Sequence, residues 1–139
     1  MKKLKVITVL FLITFTACSE DSTEVEEREE NAAVLGSWKL TEQMADPGDG
    51  SGTFQPIKSE KILVFNSNGV VESKNGSLCS PYSDEMLGSG TFSSADSLIY
   101  TMCSNPNIAQ ISFRIEGEML RLDYASNEGF SQKYSLVKQ

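Results

Sequence analysis

Cysteines at 18, 79 and 103 and a complete lack of histidine set the limits of the chemistry this 139-residue chain can do. Without an imidazole there is no Ser-His-Asp or Cys-His arrangement, and the ordinary zinc sites lose a principal ligand. Serines are plentiful, yet none sits in a nucleophile elbow, and no glycine-rich phosphate loop leads into a helix. Asp84 and Glu85 are chain neighbours, which point apart on an extended backbone, so they make no acid-base pair of the glycosidase kind. Asp46, Asp49 and Ser51 lie in a glycine-rich stretch and could offer oxygens to calcium. They lack the regular alternate spacing and the closing glutamate of an EF-hand, and a plain turn is the expectation. We therefore expect no catalytic residue, no metal and no cofactor. The remaining candidates are apolar: Trp38, Phe65, Phe92, Tyr100, Phe113, Leu122 and Tyr134 either line a ligand cavity or fill a core.

The N-terminus reads as an address. Met1 to Lys5 is a basic region, Val6 to Thr16 is a short apolar run, and Ala17 leads to Cys18. This is the pattern of a secretory signal, and the apolar run is far below the roughly 20 residues a spanning helix needs. Phe15-Thr16-Ala17-Cys18 resembles the lipobox of bacterial lipoproteins, with phenylalanine where leucine is usual. That resemblance implies removal of residues 1–17 and lipidation of Cys18, which would anchor the protein stably in a membrane. An ordinary signal peptide with an incidental cysteine is the alternative. Ser19-Glu20-Asp21 is similar to the acidic export tag of surface lipoproteins in some Gram-negative groups; in others an early acidic residue favours inner-membrane retention. The expected location is the outer membrane, at the cell surface or on the periplasmic face.

Residues 18–35 form an acidic spacer. Glu20 to Glu30 contains seven carboxylates, one arginine and Val25 as its one aliphatic residue, too little apolar surface to offset ordering entropy. The whole chain has a formal charge of −7, and the first five residues hold three of its lysines, so the exported part is more acidic still. Such a surface repels phosphate backbones, and nucleic acid is excluded as a partner.

From Gly36 onward, short runs of period two alternate with clusters of Gly, Asn, Asp, Ser or Pro, the signature of an all-β domain over residues 36–139. Trp38 and Leu40 alternate with Lys39 and Thr41. Lys61 to Phe65 returns through Asn66-Ser67-Asn68-Gly69 as Val70 to Lys74. Gly90 to Ser93 and Ser97 to Cys103 make another hairpin; Ile111, Phe113 and Ile115 mark the next strand, followed by Leu120, Leu122 and Tyr124. Phe130, Tyr134 and Leu136 mark the last. Eight strands joined by hairpin-length links predict an antiparallel up-and-down barrel, with a two-sheet sandwich as its rival.

Gly36-Ser37-Trp38 resembles the G-x-W opening of lipocalins, and the span from Gly36 to Lys138 is similar to compact lipocalin-like domains of bacterial lipoproteins, down to the Tyr134-Ser135-Leu136-Val137 ending. The T-D-Y element of classical lipocalins is absent, and no arginine follows the last strand to stack on the tryptophan. Trp38 is accordingly expected to close one barrel end. Cys79 and Cys103 bracket one hairpin, and in an exported protein they should form a disulfide; a redox-active pair would call for closer spacing. The functional expectation is a membrane-anchored, non-catalytic domain that binds a small hydrophobic ligand. The alternative is a solid barrel serving as an interaction or inhibitor module for another envelope protein.

Overall fold

The computed structural model of the chain describes residues 32–79, 84–126 and 129–138. The signal segment, Cys18 and nearly all of the acidic spacer lie outside these residues. Within them, nine antiparallel strands run in sequence order: β1 (Gly36–Ala45), β2 (Gln55–Pro56), β3 (Ile62–Phe65), β4 (Val70–Lys74), β5 (Ser89–Ser93), β6 (Leu98–Tyr100), β7 (Gln110–Glu116), β8 (Met119–Tyr124) and β9 (Phe130–Leu136). Each of β3 to β8 pairs with its successor, β1 pairs with β3, and β1 also pairs with β9. That last pairing closes an eight-stranded barrel, which leaves none of its long strands with a free edge. The two-residue β2 lies outside this count, pairing with Glu42 and Gln43 of β1 beyond the end of β3. A 3-10 turn at Pro106–Ile108 is the short helical element between β6 and β7.

Turn chemistry sets the register. Asn66 closes the β3–β4 turn by donating its N–H to the Val70 carbonyl at 2.9 Å, and Gly69 supplies the left-handed residue there at φ 77°. Gly117 does the same between β7 and β8 at φ 64°. The side-chain period of two then fixes which residues face inward. Trp38 and Leu40 of β1, Leu63 and Phe65 of β3, Ile111 and Phe113 of β7, and Leu120 and Leu122 of β8 are all buried in one continuous core.

One irregularity changes the pattern. Leu40 pairs with Tyr134, but Glu42 pairs with Lys133, so Thr41 is an extra residue in β1. The bulge reverses the parity, and Gln43 follows the inward-facing Trp38 and Leu40 as the next residue opposite an inner-row partner, Gln132.

The long connection from Asp46 to Glu60 folds back on the outer wall. Phe54 lies over cations of β8 and β9, with the Arg121 guanidinium 5.1 Å and the Lys133 ammonium 4.4 Å from its ring centre. Below it, Arg114, Arg121 and Lys133 form a cross-strand row held together by Glu116 and Asp123. These ion pairs are partly solvated and contribute geometry more than stability.

Candidate functional site

The barrel has two unlike ends. At one, the chain enters β1 through Val34, which is buried, and the Trp38 indole N–H donates to the Val34 carbonyl at 2.8 Å. Trp38 is 3 % exposed and lies in the core just inside that end. Beside it, the Phe65 and Phe92 rings meet edge to face at 5.0 Å, and Phe113 lies 5.9 Å from Phe65. Leu122 and Tyr134 are fully buried in the same core. Six of the seven candidate interior residues thus converge, and the three phenylalanine rings spend their faces on one another.

Tyr100 is the exception and corrects the sequence expectation. Ile99 takes the inward position in β6, opposite Ile111, and the Tyr100 hydroxyl donates instead to Asp96 at 3.2 Å on the exposed side. The strand is also shorter than the expected Ser97 to Cys103: it spans Leu98–Tyr100, starting late because Ser97 adopts a left-handed turn conformation at φ 55°.

At the opposite end lie the described parts of the connections from β1 to β3, β4 to β5, β6 to β7 and β8 to β9. The Cys79–Cys103 disulfide straps the second of these to the third. Ser77 organises its own loop: its hydroxyl donates to the Glu85 carbonyl at 2.7 Å and accepts the N–H groups of Cys79 and Leu87. A Glu85 carboxylate oxygen accepts the Ser104 N–H at 2.8 Å, a second tie between the strapped loops. Cys79, Glu85 and Cys103 bring three ligand-type atoms within 4.8 Å. Both sulfurs are committed to the disulfide and Glu85 to Ser104, so this cluster is a structural clasp.

The carboxylates of the loop after β1 also have local partners. Asp46 accepts the N–H groups of Gly48 and Gly50 on one oxygen, at 2.7 and 3.0 Å, and that of Gly52 on the other, at 2.6 Å. These amide donors, Gly52 foremost, hold its carboxyl below the usual carboxylate range. Asp49 accepts the Ser51 N–H at 2.9 Å. The carboxylates fold their own loop.

Beneath the loop end lies a polar group that the sequence reading did not select. Lys61, immediately before β3, is 7 % exposed. Its ammonium donates to Gln132 Oε1 at 3.2 Å and sits 5.9 Å from the centre of the Tyr134 ring. The same oxygen accepts the Tyr134 hydroxyl at 2.7 Å and the Tyr124 hydroxyl at 3.1 Å. Gln132 Nε2 reaches Gln43 Oε1 at 3.5 Å, which the β1 bulge makes possible. Burial pushes the Lys61 amine down to about 8, because a charge removed from water disfavours its own ionised form. Burial likewise raises both tyrosines, so each phenol is a neutral donor at pH 7.

Strand parity was the signal for these residues. Lys61 shares its inner row with Leu63 and Phe65, and Gln132 shares one with Phe130 and Tyr134. On the outer wall, an open groove of about 590 Å³ between β6, β7 and β8 is lined by Leu98, Pro106, Gln110 and Ser112 among others, and gathers no comparable set of buried polar groups. Comparison of the chain with protein-family models, curated proteins and solved structures found no match, so the site rests on the chain's own residues.

Proposed function

We propose that this protein is a non-catalytic binding lipoprotein of the bacterial envelope, a lipocalin-like barrel tethered through Cys18 that receives a small, largely apolar molecule at its loop end. The observation that carries this reading is the polarity of the barrel. The tether joins at the end stoppered by Val34 and Trp38, whereas the loops, the disulfide and the convergent polar side chains gather at the opposite end. A lipid anchor at Cys18 would hold the closed end toward the membrane and present the loop end outward. The deep position beside Trp38 is given over to packing, so the ligand belongs above it, at the level of Lys61 and Gln132.

Native mass spectrometry of the protein extracted from its own envelope tests this. A discrete small-molecule adduct, lost on unfolding, is the expected result. A bare polypeptide mass, with its lipid alone, overturns it.

The second reading is a solid interaction or inhibitor module, favoured by one observation. Met86 and Met102 are 76 % and 88 % exposed on the two strapped loops, an apolar pair for a macromolecular partner. A photo-crosslinker at position 102 that captures one envelope protein, together with a bare mass, would select this reading.

A further inference from the structure

Along its inner rows the barrel is built in two storeys. The lower storey is an apolar cluster around Trp38, Phe65, Phe92 and Phe113, with the buried Ser94 hydroxyl at its rim. The upper storey presents Gln43, Lys61, Ser73, Tyr124, Gln132 and Tyr134 from five different strands or their ends. Its hydrogen bonding does not balance. Three donors crowd onto the single oxygen Gln132 Oε1, while the ammonium of Lys61 carries three N–H groups and has no carboxylate partner among the described residues. The Ser73 hydroxyl, buried on β4, has no hydrogen-bond partner among the described residues. A buried cation without a counter-charge and a buried hydroxyl without a partner are each costly, and a barrel that needed only to be filled would hold apolar side chains there. Gly76 is shaped to this arrangement, since a Cβ at that position would come within 3.0 Å of the Lys61 stem.

We propose that the upper storey is a binding site for the carboxylate of a small organic acid, held by the Lys61 ammonium and the Ser73 hydroxyl. Leu63 opposes Ser73 and Ile62 opposes Lys74, so Lys61 falls on the diagonal from Ser73 on the neighbouring strand. A single cation in an acidic protein matches a monoanion, and a phosphate dianion would call for a second positive charge. The apolar body of the acid would rest on Leu78 and on the partly buried Ile57 and Leu87, which pack against the core from the surrounding loops. This inference deepens the binding role proposed above and rests on it.

The test uses the full chain in detergent, titrated with sodium octanoate carrying a ¹³C carboxyl and, separately, with octanol. Octanoate should saturate one site, with octanol at least tenfold weaker; Lys61→Met should reduce octanoate affinity at least tenfold, and Ser73→Ala severalfold. In the unaltered protein, octanoate affinity should fall as pH rises through about 8, where the Lys61 amine loses its proton, since the facing Tyr124 and Tyr134 stay neutral there. Equal binding of octanol, or unchanged affinity in Lys61→Met, would overturn the carboxylate assignment while leaving a loop-end binder standing. No saturable octanoate binding would also overturn it.

Discussion

The indole N–H of Trp38 donates to the carbonyl of Val34, four residues earlier, and this single bond turns the start of the barrel into a stopper. The chain before β1 would otherwise leave Val34 at the mouth of an open cylinder. Instead the tryptophan reaches back, satisfies a buried carbonyl and draws the valine over the aromatic core. Trp38→Phe keeps much of the ring but orphans that carbonyl and leaves a void. We expect a loss of about 2 to 3 kcal/mol in urea unfolding, with the strand register intact by NMR. A variant as stable as the parent would mean that Val34 is not part of the stopper.

The disulfide between Cys79 and Cys103 closes a segment with a sequence separation of 24 and ties two loops that have little regular structure of their own. Cross-linking a loop of this length restricts the unfolded chain by about 3.5 kcal/mol in the chain-entropy model. The double variant Cys79→Ser, Cys103→Ser should lower stability by about that amount. Its amide exchange should speed up first in residues 75–79 and 101–105, ahead of β8 and β9. Uniform acceleration across the whole barrel would show that the strap supports the core and not the loop end.

The eight strands of the barrel were legible because their evidence is local: period-two burial and turn residues such as Asn66 to Gly69 lie within a few positions of each other. What was lost depends on long-range partners. In the run from Ser97 to Cys103, either alternate set could face inward, and Tyr100 looks the better core residue. The choice falls to Ile99 because Ile99 must meet Ile111 across β7, while Cys103, in the same phase, must meet Cys79. Lys61 was hidden for the opposite reason. A lysine at the head of a strand ordinarily reads as solvated, and only the oxygen of Gln132, 71 residues away, explains its burial. The Thr41 bulge, which brings Gln43 into line with Gln132, is set by pairing with β9 and leaves no mark on the β1 sequence alone.

Asp46 makes a separate prediction about the loop that follows β1. Its carboxylate gathers the amides of Gly48, Gly50 and Gly52, and a Cβ at position 52 would come within 2.8 Å of Asp46. Asp46→Ala and Gly52→Ala should each free this loop, read as faster amide exchange at residues 48–52 with β3 to β9 unaffected. Because the Asp46 carboxyl is held below 3.8 in the folded protein, its contribution is present above that pH and is lost as the pH falls through the lowered value. Millimolar calcium should leave both exchange and unfolding unchanged; a calcium-dependent rise in protection at these glycines would contradict the closed loop.

Lys61 gives the barrel an unusual pH profile. The folded amine titrates near 8 and the unfolded one near 10.5. Below about pH 8 both states carry the proton and the folded state bears the whole cost of burying it. Between about 8 and 10 the folded amine is already neutral, the unfolded chain binds more protons, and stability therefore rises with pH. The full difference corresponds to on the order of 3 kcal/mol. Above pH 10 the trend reverses, because Tyr124 and Tyr134 resist ionisation only while folded. Lys61→Met removes the buried charge and leaves Gln132 Oε1 with both tyrosine hydroxyls, so it should be more stable than the parent by about 2 kcal/mol at pH 7. Its unfolding free energy should be flat from pH 7 to 9.5, where the parent climbs. A parent profile as flat as the variant's would place the ammonium in contact with water. A natural residue whose removal stabilises the fold is retained for some other reason, and an anion that neutralises Lys61 in the working protein supplies one.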